Sequence, residues 1–340
     1  MKQILLKPLE NHITNLDYFL KELILCLKEN KKFEIFINEG VDLSLIKIKD
    51  VTFLDFLKDL CRDLNFPKEH INIVTYNLIQ DKKVWPTVSV TNRFLPMIIE
   101  HSKKYLLDSV EKNIEKTFGF FVGGSRWHRL WLGSYLYKNY HDQTILTYWQ
   151  HHFNKTQPCN LHIDDLLMKL HSSEDKTVYD NLFEFCNDLP LHLEAQHEDK
   201  NKNTGYINWD DAFDELKQSY SSIFVDIVGE TWHEGQCFFP TEKTIRPMVF
   251  ETPFIVYASK NYLKNLKLMG FKTFHEFWDE SYDNYEGVKR LEKISTVIQT
   301  IGQYNRDQLK SIYKKISVIT SHNKNILNSL SKKQIDRLYI

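Results

Sequence analysis

The sequence predicts an α/β protein of two open-sheet domains with a helical C-terminal end. Three observations carry this. Short apolar runs such as FEIFIN (33–38), HINIVTY (70–76) and IFVDIV (223–228) read as buried strands. They alternate with stretches of helical periodicity, FLDFLKDLCRDL (53–64) first among them. The strand–helix–strand order then starts again near residue 116.

Taken in order, Phe33–Asn38 is a strand ending at Glu39-Gly40, Phe53–Leu64 a helix and His70–Tyr76 the next strand. Arg93–Tyr105 reads as a helix. The second unit opens with the apolar run Phe118–Val122, then Gly123-Gly124-Ser125, then a helix over Arg126–Tyr140 with one aromatic face. Thr144–Trp149 is the next strand, and HEDKNKNTG (197–205) an exposed loop. A helix over Trp209–Tyr220 leads into the strand Ile223–Val228. A helix from Thr241, the strand Phe254–Tyr257, the helix Lys260–Met269 and a short strand at Lys272–Phe274 follow. Val288–Gly302 and Arg306–Leu330 read as long helices. This predicts two Rossmann-like domains facing a cleft, residues 1–115 and 116–303, with helices over 304–340 that can return to the first domain.

Composition narrows the function classes. The chain has 340 residues, enough for two cores, and 42% hydrophobic with 26% charged residues is a globular balance. Aromatics reach 14%, which suits large cores and stacking surfaces. A formal net charge of −1 gives no bulk attraction to nucleic acid. The five cysteines (Cys26, Cys61, Cys159, Cys186, Cys237) are scattered without a CxxC pair, against a disulfide framework or a structural zinc site. A reducing cytoplasm is the expected location. The first residues, MKQILLKPLENHITNL, lack the ~7–15-residue apolar core of a signal peptide. No run approaches the ~20 apolar residues of a membrane span.

Four groups of residues carry candidate chemistry. In Gly123–Arg129 a strand runs through two glycines into a helix that begins with Arg126, His128 and Arg129. Glycines admit a ligand to the backbone, and free N–H groups at a helix start attract anions, so Gly124, Ser125, Arg126 and Arg129 are candidate phosphate ligands. Glu230 follows the strand IFVDIVG, on the edge where α/β sheets bind ligands. Capping explains Thr241 and Glu242 at the start of the next helix. It does not explain Lys243 and Arg246, cations at a helix N-terminus, which a bound phosphate would reconcile. The acid- and aromatic-rich FHEFWDESYD (274–283) offers Asp279, Glu280 and Tyr282 for the sugar end. His151-His152 and His192/His197 lack metal-ligand spacing, and Asp164-Asp165 and Asp210-Asp211 fit helix caps, so no obligatory metal is expected.

The set TEKTIRP, TPFIVYA and LKLMGFKTFHEFWDESYD resembles glycosyltransferase-like proteins of viral and bacterial genomes, and is distantly similar to the alpha-1,3-fucosyltransferases. The donor domain of that family pairs an acid in a Phe-Glu-Asn-Ser segment with a downstream Thr-Glu-Lys. Glu230 in VGET and Thr241-Glu242-Lys243 match these elements by type. The resemblance covers roughly residues 118–285. It implies a two-domain GT-B-type fold, a cytoplasmic enzyme (in the host cytoplasm if viral) and a nucleotide diphosphate against residues 123–129 and 230–246. The Asn-Ser after the acid is absent here and the spacing to Thr-Glu-Lys is shorter, which leaves UDP- and GDP-sugars both open.

The expectation is an inverting, metal-independent transfer of a sugar from its nucleotide diphosphate to a glycan or a modified nucleobase. Lys243, Arg126 and Arg129 would stabilise the leaving diphosphate, and Glu230 and Glu242 would hold ribose or orient the lysine. Glu39, at a strand's carboxyl end, is the candidate base, with Asp42 as the fallback. The alternative is a nucleic-acid-binding or DNA-processing protein without sugar transfer, using surface aromatics and the RWHR cluster.

Overall fold

The computed structural model describes residues 2–9, 12–37, 39–79, 85–90, 94–107, 111–148 and 211–330, with 168, 182, 184–189 and 191. The expected loop over 197–205, His151-His152, His192, His197, Asp164-Asp165 and Asp210 lie outside the described residues.

Two four-stranded sheets, parallel throughout, organise the mixed α/β chain. The first joins β1 (Lys2–Leu6), β2 (Phe33–Ile37), β3 (Ile71–Thr75) and β4 (Val88–Val90), side by side in chain order. Helix α1 (Leu16–Lys28) crosses from β1 to β2, and α2 (Phe53–Asp63) from β2 to β3. Each buries a stripe three to four residues apart, Phe19, Leu23 and Cys26–Leu27 in α1, and Phe53-Leu54, Leu57 and Cys61 in α2. Thr52 caps α2 by accepting from the Asp55 amide at 3.1 Å.

Helix α3 (Phe94–Leu106) connects the halves, and its buried Leu95, Ile98, Ile99 and Tyr105 belong to the core around the second sheet. That sheet contains β5 (Lys116–Val122), β6 (Thr144–Tyr148), β7 (Ile223–Gly229) and β8 (Phe254–Tyr257) in the order β6-β5-β7-β8. All seven residues of β7 are buried, as a strand covered on both faces requires. The strand order reverses direction between β5 and β7. In parallel sheets such a reversal sends the following connections to opposite faces and makes the carboxyl ends there the ordinary place for a ligand crevice. Helix α4 (Trp127–Tyr140) follows β5, and α5 (Asp211–Ser222) precedes β7. Helix α6 (Glu242–Val249) follows β7. After β8 come α7 (Tyr262–Leu268), α8 (Gly287–Gly302) and α9 (Arg306–Ser329). Helix α9 adds Leu309, Ile316 and Leu327 to the second core.

The expected strand at Lys272–Phe274 is not formed. Side chains satisfy its backbone instead. Asn323 of α9 accepts from the Lys272 amide at 2.7 Å and donates to its carbonyl at 2.9 Å, while Glu280 accepts from the Phe274 amide at 2.6 Å. The segment thereby becomes a bracket for α9 and offers no edge to the sheet.

The cores also exchange residues. Trp232, Cys237 and Phe239, from the loop between β7 and α6, pack in the core of the first sheet. No described helix is long and apolar enough to cross a membrane.

Candidate functional site

The crevice between β5 and β7 is floored by Arg129. Its Nη1 donates to the Gly124 carbonyl at 2.6 Å, its Nε to the Gly229 carbonyl at 3.0 Å and its Nη2 to Thr231 Oγ1 at 3.3 Å. One buried guanidinium thus ties together the ends of both strands. Burial, with the nearby Arg126 charge, lowers its pKa to about 10, so it remains charged at neutral pH. Gly229 suits this contact, since a Cβ there would lie 3.0 Å from Arg129 Cγ and 3.3 Å from His128 Nε2 and press on both side chains. Gly123, one residue past β5, meets open space. Arg126 is 5% exposed at the N-cap of α4, and Ser125 shares a 2.9 Å hydrogen bond with Tyr148. Arg129, a candidate phosphate ligand, makes two of its bonds to backbone carbonyls and the third to the Thr231 hydroxyl.

Glu230, the candidate ribose partner, is also engaged within the protein. It is 0% exposed, and its carboxylate is filled from within. Oε1 accepts from the Thr241 amide at 3.1 Å, Thr244 Oγ1 at 2.5 Å and the Tyr262 hydroxyl at 3.1 Å, and Oε2 from Thr241 Oγ1 at 2.6 Å. With no exposure and four internal donors already on it, the carboxylate is closed to a ribose hydroxyl in this conformation. The acid therefore anchors the start of α6, where Thr241 caps the helix by accepting from the Lys243 amide at 3.3 Å.

That anchor sets Glu242, Lys243 and Arg246 along the first turns of α6. Glu242 and Lys243 form a close ion pair with side chains only 15% and 16% exposed. Lys243 Nζ also lies 3.5 Å from both Thr231 Oγ1 and Thr241 Oγ1. Burial pushes the Lys243 pKa down. Burial would push Glu242 up, but Lys243 and Arg246 outweigh it and hold its carboxyl at about 2. Arg246 is 6% exposed, and its Nε has no hydrogen-bond partner among the described residues.

The depressed Glu242 value has a measurable consequence. A carboxyl held below its unfolded pKa of ~4.3 adds stability that is fully present above that value. We expect that contribution, on the order of 2 kcal/mol, to be lost as pH falls from ~4.3 towards 2. In Lys243→Met the unfolding midpoint should lose this part of its acid dependence, which denaturation at several pH values between 2 and 6 would read.

Glu39 faces this cluster from the other sheet. It follows β2, and its Oε2 accepts from the Trp232 indole at 2.8 Å. Burial raises its pKa, against the opposing effects of the Trp232 hydrogen bond and the charges of Arg126 and Lys243. The carboxyl edges of the two sheets therefore meet across residues 231–240. Asp42 helps to hold that loop and is not a free acid. It accepts from the Gln236 amide at 2.6 Å and from the Ser44 amide and hydroxyl at 2.9 and 2.8 Å. Asn77 grips the same loop, donating to the Gln236 carbonyl and accepting from the Phe238 amide, each at 2.9 Å.

Tyr282 lies apart from the group. It is 0% exposed in the second core, its ring 5.4 Å from the Arg290 guanidinium. Its acidic neighbours serve the fold as well: Glu280 accepts from Thr273 Oγ1 at 2.6 Å, and Asp279 from the Ser281 amide at 2.8 Å.

Trp232 and His233 were not singled out from sequence. His233 pairs with His128 of the RWHR cluster, their ring centroids 4.0 Å apart and His128 stacked on Tyr257 at 4.6 Å. Burial pushes both histidine pKa values down, so His128 is neutral and does not add to the basic start of α4. Among the described residues no group of three or more His, Cys, Asp or Glu is gathered to hold a metal ion. Comparison of the chain with protein-family models, curated proteins and solved structures finds no match to any of them.

Proposed function

We propose that the chain is a glycosyltransferase that moves a sugar from a nucleotide diphosphate to an acceptor hydroxyl. The observation that carries the reading is the placement of opposite chemistries on two facing sheet edges. Arg126, Lys243 and Arg246 lie at the start of α4 and along α6, beside the crevice where a parallel sheet of this order binds ligands. Glu39 lies at the carboxyl end of a strand in the other sheet, within the electrostatic reach of Arg126 and Lys243. A diphosphate at the cations supplies a leaving group whose developing charge they stabilise. The acceptor oxygen then bonds to the anomeric carbon as the bond to the diphosphate oxygen breaks, and Glu39 takes the hydroxyl proton. A carboxylate with a raised pKa is the better base for that step. The reading is of an inverting displacement, in which arginine and lysine take the role of meeting the leaving group's charge. UDP- and GDP-sugars are both compatible with it.

Thermal unfolding against UDP, GDP, CMP, dTDP and their sugar conjugates tests the reading. A ligand well above its dissociation constant should stabilise by ~2–4 kcal/mol, a shift of several degrees. Lys243→Ala should weaken that ligand on the order of 10–100-fold. No shift with any nucleotide, together with a salt-sensitive gel shift on single-stranded nucleic acid, would replace sugar transfer by nucleic-acid binding.

A further inference from the structure

The contact between Trp232 and Glu39 is the most specific link between the two halves of the molecule. Trp232 belongs to the loop after β7 of the second sheet, yet it packs in the core of the first. Packing alone would be served by any large apolar ring. The indole N–H adds something packing does not need: a 2.8 Å bond to one carboxylate oxygen of a half-buried acid.

The rest of Glu39 is pinned too. Its carbonyl accepts from the Tyr76 amide and from Thr75 Oγ1, both at 3.3 Å, at the end of the neighbouring strand. Gly40 is pressed against Phe239 of the same loop, where a Cβ would come within 2.2 Å of the Phe239 Cβ. The residue before Trp232, Thr231, sits 3.3 Å from Arg129 Nη2 and 3.5 Å from Lys243 Nζ. Two adjacent residues thus touch the cations on one side and the acid on the other. Among the described residues no donor occupies Glu39 Oε1.

We infer that Trp232 is a positioning residue: its indole holds Oε2 of Glu39, so that Oε1 is presented as the proton acceptor. The catalytic half of this statement rests on the glycosyltransferase reading, whereas the pairing itself does not. Removing the N–H while keeping an aromatic ring should leave the cation cluster unchanged and let the carboxylate rotate. Because the indole favours the ionised carboxylate, its loss should also raise the pH at which Glu39 ionises.

The test follows the Trp232 indole N–H of the whole chain by 15N–1H correlation, among the signals of seven tryptophans. The signal missing from W232F should move with pH in one step in the native protein and stay fixed in E39Q. An indole that ignores pH, or that titrates equally in E39Q, overturns the pairing. Should W232F fail to fold, E39Q alone decides, because one indole signal must then lose its pH response. The catalytic half is read with whichever of UDP-glucose or GDP-fucose binds more tightly, using hydrolysis so that water stands in for the acceptor. W232F should bind that donor within ~2-fold of native, hydrolyse it on the order of 10-fold more slowly, and show the acid limb of its pH–rate profile displaced to higher pH. Donor affinity lost in parallel with rate would overturn the positioning role in favour of a structural one. If neither donor binds, the glycosyltransferase reading fails while the indole titration still decides whether Trp232 holds Glu39.

Discussion

Glu230→Ala is expected to lose ~5 kcal/mol of folding stability, a large share of what a domain of this size has. The carboxylate accepts four hydrogen bonds in a site with no exposure to water. Alanine leaves the Thr241 amide and the Thr241, Thr244 and Tyr262 hydroxyls without their acceptor, each at a cost of roughly 1–3 kcal/mol if it finds no replacement. Thr244 and Tyr262 can still bond each other across 2.9 Å, which limits the sum. The cavity left by the side chain adds to it. Glu230→Gln should be milder, at ~2 kcal/mol, because one acceptor oxygen survives while the new amide group meets donors. Denaturant titration of both variants measures this directly. A well-folded Glu230→Ala that had lost nucleotide affinity would instead return Glu230 to the ligand site.

That expectation also marks where sequence reasoning stops. Glu230 was legible as an acid at a strand's carboxyl end, and the strand is there. Its meaning depends on Tyr262, thirty-two residues away, and on the hydroxyls of Thr241 and Thr244. No local pattern encodes such partners. The same holds for Arg129, whose position at a helix start was read correctly but whose guanidinium is spent on Gly124 and Gly229 carbonyls. Strands of largely apolar character, such as Phe118–Val122 and Ile223–Val228 with Asp226 its single charge, declared themselves because buried parallel strands need no polar face. Their order across the sheet did not, since which strands pair is settled by long-range packing. The segment Lys272–Phe274 looked like a strand for the right local reason, and lost its ladder to Asn323 and Glu280. Trp232 escaped notice because an aromatic in a loop carries no period; its role appears only when Glu39, 193 residues earlier, is beside it.

Glu39→Gln is expected to have the largest effect on activity and almost none on binding. A positioned general base contributes roughly 10²–10⁴-fold, and transfer should fall by about that amount. Nucleotide affinity should stay within ~2-fold, because Arg126, Lys243 and Arg246 are untouched. Stability runs the other way. Burial raises the Glu39 pKa, so its favourable contribution is complete below the unfolded carboxyl pKa and is lost as pH rises through the folded one. Burial thus works against the ionised carboxylate at this site. Glutamine removes that charge, and its amide oxygen can keep the Trp232 hydrogen bond. The variant should be as stable as the native chain at neutral pH, or more so, with a flatter dependence of its unfolding midpoint on pH through the acid range. An inactive, stable, nucleotide-binding Glu39→Gln would separate the base from the anion site on one preparation. Retained transfer would remove Glu39 from the reaction while leaving the cation cluster as the donor site. A combined loss of transfer and nucleotide affinity would mean that the acid shapes the anion site across the 231–240 loop, with the base to be sought elsewhere on the first sheet's carboxyl edge.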